Sequence, residues 1–174
     1  MSRASVWIVC GKRQSGKKTY TLSVLNKELP EQTCIFVLSD RETTQDKWHL
    51  LAKESKVPIA VASPSEVVVR YLVKRQDICI VLDGLSKNQT PGFWSLLDEF
   101  ARQSNSTTPK LVFLTQSLKQ VAIESCDVVV CVGKVSTHNK ARLEKWATPQ
   151  EVRWVKAWNV GQEQSESDSE EDVE

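Results

Sequence analysis

A chain of 174 residues, 40% hydrophobic and 26% charged, suits one soluble globular domain with a sizeable core and excludes a collagen-like or wholly disordered chain. No stretch has the shape of a signal peptide and no apolar run approaches the roughly 18 residues of a membrane span, so no membrane partner is expected. The net charge of +1 hides an asymmetry: residues 163–174 hold seven acids and no base, so the 23 basic residues face only 15 acids in the rest of the chain, a body of +8 suited to a polyanion.

In chain order, an apolar run over 5–10 predicts a strand that drives into Gly11. Then come Lys12, Arg13, Gln14, Ser15, Gly16, Lys17, Lys18 and Thr19, nearly the phosphate-loop pattern G-x-x-x-x-G-K-[S/T]. Glycines at 11 and 16 allow backbone angles that turn successive N–H groups inward as an anion nest. A helix over 17–29, stopped by Pro30, would aim its positive dipole end at the same point, and Lys17 would supply an ammonium. The pattern departs at one position. Lys18 stands where a magnesium-binding hydroxyl belongs, and Thr19 comes one residue late.

Thr33 to Leu38 reads as a strand buried on both faces, followed by the polar loop of Ser39, Asp40, Arg41 and Glu42. A helix over about 45–55 presents Trp48, Leu51 and Ala52, and residues 57–61, with Pro58, suit an edge strand. Ser63, Pro64 and Glu66 read as a capping box opening a helix to about Arg75, with Val67, Val68, Tyr71 and Leu72 inward. Residues 77–83 form another buried strand ending in Asp83, the Walker B pattern of hydrophobics closed by an acid. Gly84 follows, where a catalytic base is often found. A glycine cannot serve, and Asp40 or Glu42 would have to substitute or stand as loop and cap acids.

A helix over 92–103 carries Phe93, Leu96, Leu97 and Phe100 at helical spacing, with Arg102 at its end as dipole complement or arginine finger. Residues 110–116 form a buried strand ending in Thr115 and Gln116, whose amide suits either a phosphate or a cap. A short helix then precedes a strand over 126–132. Helices are expected over 137–147 and 149–158. Lys134, His138, Lys140, Arg142, Lys145, Arg153 and Lys156, with Trp146, Trp154 and Trp158, make this region basic and aromatic. It fits either a nucleic-acid surface or tryptophans covering the core. The domain is expected over 1–160 and a disordered acidic tail over 161–174, where Ser165, Ser167 and Ser169 suit an acid-directed kinase. The cysteines Cys10, Cys34, Cys79, Cys126 and Cys131 lie mostly in apolar runs with no metal-ligand spacing, as buried thiols of a reducing compartment do.

Apolar strands alternating with helices imply an α/β sandwich around a mainly parallel sheet, with ligands bound beyond the strands' C-terminal ends. Gly11–Thr19, Asp83 and Gln116 all fall on that edge. Together, in this order and spacing across residues 4–147, they resemble the FtsK/HerA class of P-loop ATPases, and within it the poxvirus-type genome-packaging ATPases.

The resemblance implies a three-layer P-loop NTPase sandwich with the glutamine-bearing strand between the Walker A and Walker B strands. It implies ATP on Gly11–Thr19, Mg2+ held by Asp83 with Thr19, and catalysis by Lys17, Asp83 and Gln116. It also implies a homo-oligomeric ring acting on double-stranded DNA, with capsid proteins as further partners, in the host nucleus or cytoplasm or in the virion. Lys18 and Gly84 depart from the family pattern. They favour an alternative, a degenerate P-loop protein that binds nucleotide without cutting it. A small nucleoside or nucleotide kinase shares the loop but would need an arginine-rich lid.

Overall fold

The structure, a computed structural model, describes residues 5–85, 89–103, 106–116, 126–134, 137 and 151–156. Among them the order is β1 (Val6–Gly11), α1 (Lys17–Glu28), β2 (Cys34–Leu38), α2 (Glu42–Ala52), β3 (Ile59–Ala62), α3 (Glu66–Leu72), β4 (Ile78–Asp83), α4 (Pro91–Gln103), β5 (Leu111–Thr115), β6 (Val128–Val132) and β7 (Glu151–Val155). All seven strands pair in parallel in one sheet, ordered β3-β2-β4-β5-β1-β6-β7.

The two faces of the sheet follow from the period of 2 within its strands. Ile8 and Cys10, Ile78, Ile80 and Leu82, and Leu111 and Phe113 join one core with Val69 and Leu72 of α3 and Phe93, Leu97 and Phe100 of α4. The alternate residues Trp7, Val9, Cys79, Val81, Val112 and Leu114 join the other, with Tyr20, Leu22 and Leu25 of α1 and Trp48 of α2. Helices therefore cover both faces, the α/β three-layer sandwich expected. Strand β5 lies between β1 and β4, with Cys10 opposite Thr115 and Asp83 opposite Leu114. The strand that ends at Gln116 is thus inserted between the strand of the loop and the strand of Asp83.

Three local expectations are corrected. Residues 151–155 form an edge strand, not part of a helix over 149–158. Glu-Val-Arg-Trp-Val alternates β-favouring residues, and the free edge of β6 takes up its backbone, with the Gly133 amide donating to the Val155 carbonyl at 2.7 Å. Arg153 then lies 4.7 Å from the centre of the Trp7 ring. Helix α3 is capped by Ser65, whose hydroxyl accepts from the Val68 amide at 3.1 Å, while Ser63 accepts a bond from Gln45 and Glu66 binds Arg70 and Thr90. Shifting the start of α3 rotates its inner face. Val69 and Leu72 are buried, and Val67 and Tyr71 are exposed instead of inward. The expected helix over 137–147 (apart from Thr137), the short helix before Cys126 and the acidic tail lie outside the described residues.

The start of β1 is fixed by Asp127, just before β6. Its buried carboxylate accepts from the Ser5 and Val6 amides, both at 2.9 Å. Asp127→Ala should lower the unfolding free energy by about 1–3 kcal/mol for each donor left orphaned, and Asp127→Asn, which keeps one acceptor oxygen, by less. Urea unfolding of the three proteins checks this; an unchanged midpoint in Asp127→Ala would refute it.

Candidate functional site

The loop between β1 and α1 is shaped by two close approaches. A Cβ at position 11 would stand 2.6 Å from the Ser15 hydroxyl and 2.8 Å from the Val132 carbonyl, so only glycine fits there. Gln14 (φ 64°) and Gly16 (φ 92°) take left-handed angles, and Gln14 is the only non-glycine residue to do so among those described. Right- and left-handed residues in succession turn amides toward one point, as an anion nest requires. The Ser15 hydroxyl is buried with no hydrogen-bond partner, a polar atom left for a ligand to satisfy.

Helix α1 begins at Lys17 with Gly16 as its N-cap and no acid in its first turn. The Lys17 ammonium donates to the Lys12 carbonyl at 3.2 Å, holding the side chain back over the loop. Burial brings its pKa down to about 8, against a smaller opposing pull from Asp83. Orphaned hydroxyl, glycine-only approach, nest and ammonium together suit the phosphates of a nucleotide.

Asp83 ends β4 buried, and two other elements reach it. The Trp48 indole N–H of α2 donates to its Oδ2 at 2.8 Å, and the Lys18 ammonium of α1 stands 3.6 Å from the same oxygen. Gly84 follows with φ 70°, strained for any L side chain, and a Cβ there would meet Thr44, Ser39 and Arg41 at 3.2–3.5 Å. A general base at that position would be strained and crowded as well as absent. Gln116 is exposed at the end of β5, between the loop and Asp83, and its carbonyl accepts from the Cys10 thiol at 3.8 Å.

The other candidates fall away from this group or complete its rim. Asp40 lies in the loop after β2, and exposed Glu42 stands in the first turn of α2, where an acid complements the dipole. Arg102 pairs with Asp98 one turn back at 2.6 Å, at the α4 end that leads to the start of β5, the edge opposite the loop. Of the basic C-terminal residues, Lys134, Arg153 and Lys156 are described. Arg153 pairs with Glu151, while Lys134, Lys156 and Trp154 are exposed.

Magnesium between Asp83 and Thr19 does not fit this donor set. The Asp83 oxygen that faces α1 already accepts from Trp48 and faces an ammonium, and a dication brought to it would meet a like charge. Thr19 lies in a regular helix, about 100° round from position 18. No group of three or more His, Cys, Asp or Glu residues suited to a metal occurs among the described residues.

Sequence reasoning missed Trp48 as a site residue and missed the Lys18–Asp83 contact. A tryptophan facing the core must satisfy its N–H, and Asp83 is a buried acid at that sheet edge, so the first signal was available.

No family model matches the sequence, and no curated protein matches it. In fold the chain is similar to the genome packaging NTPase B204 of Sulfolobus turreted icosahedral virus 2, solved in complex with AMP. The TM-score is 0.53 and the identity 12%, over 85% of this chain and 84% of that one.

Two outcomes follow from this geometry. Trp48→Phe, which removes a bond to a buried carboxylate, should cost about 1.5–3 kcal/mol of stability, read by urea unfolding; a cost near zero would mean that the bond does not hold α2 to β4. The Lys17 amine should titrate near pH 8 by nitrogen-detected NMR, and Asp83→Asn should move it lower still, because the carboxylate's pull is upward. Since the unfolded chain binds the Lys17 proton more tightly, this residue's contribution to stability rises with pH between about 8 and 10.5.

Proposed function

We propose that this chain is the nucleotide-binding subunit of a genome-packaging NTPase of viral type, within the FtsK/HerA class, working as a homo-oligomer on double-stranded DNA. The observation that carries the reading is the insertion of β5 between β1 and β4, which brings Gln116 to the edge shared by Lys17 and Asp83. The likeness in fold to a viral packaging NTPase is consistent with it.

In this reading the nest amides and the Ser15 hydroxyl take the phosphates of ATP. Lys17 swings from the Lys12 carbonyl onto the outer phosphates. The Gln116 amide, on the neighbouring strand, orients the terminal phosphate or the water beside it. The basic body meets the DNA backbone, so binding falls steeply with added salt. Capsid proteins as partners, and an acid-directed kinase acting on Ser165, Ser167 and Ser169, belong to the same proposal.

A second reading keeps the nucleotide and drops its hydrolysis. The Lys18–Asp83 contact and the left-handed Gly84 favour it, because both occupy positions where cleavage chemistry would otherwise be built.

ATP turnover, measured with and without double-stranded DNA, separates the two. The motor predicts DNA-stimulated turnover that falls on the order of a hundredfold or more in Lys17→Ala. Nucleotide binding without turnover under either condition leaves the second reading, and no nucleotide binding at all defeats both.

A further inference from the structure

We propose that the Lys18 ammonium does the work of a magnesium ion in this site, so that the loop takes a nucleoside di- or triphosphate in its metal-free form. The inference rests on the nucleotide reading above and names the species bound.

Position 18 is the point on α1 from which a hydroxyl would reach a metal, and Asp83 is the carboxylate that would help to hold it. Here the space between them is bridged by a cation built into the chain, 3.6 Å from Asp83 Oδ2. Trp48 donates to the same oxygen, so the carboxylate is oriented without metal. The side chain of Lys18 is one-quarter exposed, enough to meet a ligand over the loop while keeping its partner.

The charge balance points the same way. Lys12, Arg13, Lys17 and Lys18 crowd the loop and the first turn of α1, and no acid stands in that turn. Cations at a helix N-terminus oppose the dipole, and Asp83 is the carboxylate whose pull on Lys17 opposes the effect of burial. The cluster is therefore unbalanced until an anion arrives. A phosphate chain bearing its full negative charge balances it best, and one whose charge a dication has partly neutralised balances it less well. The orphaned Ser15 hydroxyl within the loop adds a donor that needs no metal to orient it.

The test is the affinity for ATP and ADP by calorimetry, in excess EDTA and in excess magnesium chloride. It uses the full chain, Lys18→Thr and Lys18→Arg, with thermal unfolding of each variant to confirm that it folds. In the wild type, affinity in EDTA should equal or exceed that in magnesium. Lys18→Thr should bind about tenfold more weakly in EDTA, the loss of one charge-assisted contact, and should recover with magnesium because a hydroxyl then stands in the metal-binding position. Lys18→Arg should keep the wild-type pattern. Wild-type binding that needs magnesium overturns the inference while leaving the nucleotide reading intact, as does a Lys18→Thr variant that binds equally well in EDTA. Absence of binding in both buffers overturns the nucleotide reading and this inference with it. The wild-type comparison decides by itself should a variant not fold.

Discussion

The buried carboxylate of Asp83 is the point at which three elements meet. It ends β4, receives the indole of Trp48 from α2, and faces the ammonium of Lys18 from α1. Two unit charges 3.6 Å apart attract by about 4–5 kcal/mol at an effective dielectric of roughly 20. Desolvation of the partly buried pair consumes much of that, which is why the bond from Trp48 matters. It leaves the carboxylate one donor whatever Lys18 does. Helices α1 and α2 lie on the same face of the sheet, so one acid sets where both stand relative to the sheet's C-terminal edge.

Around that point the parallel sheet does the positioning. Because the inner strands β1, β4, β5 and β6 are buried on both faces, their side chains are committed to the core and only their ends are free for chemistry. Strand order then decides which ends are neighbours. The order β4-β5-β1 puts the acid, the amide and the phosphate loop side by side although they are far apart in sequence. The glycine-only approach of Gly11 to the Val132 carbonyl brings β6 into the same arrangement, as a wall behind the loop.

Much of this was legible beforehand, for identifiable reasons. The loop announces itself because its glycines and lysine serve local backbone geometry. The buried strands announce themselves because continuous apolar runs have few alternatives. The errors came where the deciding contact was remote. Residues 151–155 are a strand because β6 leaves an edge open, and α3, capped by Ser65 and not Ser63, turns Val68 and Leu72 inward as expected but adds Val69 and leaves Val67 and Tyr71 outside. The Lys18–Asp83 contact depends on the rotational phase of α1 against β4. Spacing within one segment does not encode that.

The spatial order of the sheet also bears on how the chain acquires its fold. Of the described strands β1 is made first, and it has no partner among β2, β3 or β4. Its neighbours begin at Leu111 and Val128, and Asp127, which pins its first residues, lies 122 residues from Ser5. Strands β2, β3 and β4 can pair among themselves as they emerge, whereas the apolar stretch from Val6 to Cys10 waits for β5 and β6 to follow. Non-local pairing of this kind folds slowly and leaves aggregation-prone surface exposed on the way. The phosphate loop, strung between β1 and α1, acquires its back wall only when β6 arrives. Nascent chains halted before β5 would carry the whole loop motif and still lack a finished loop.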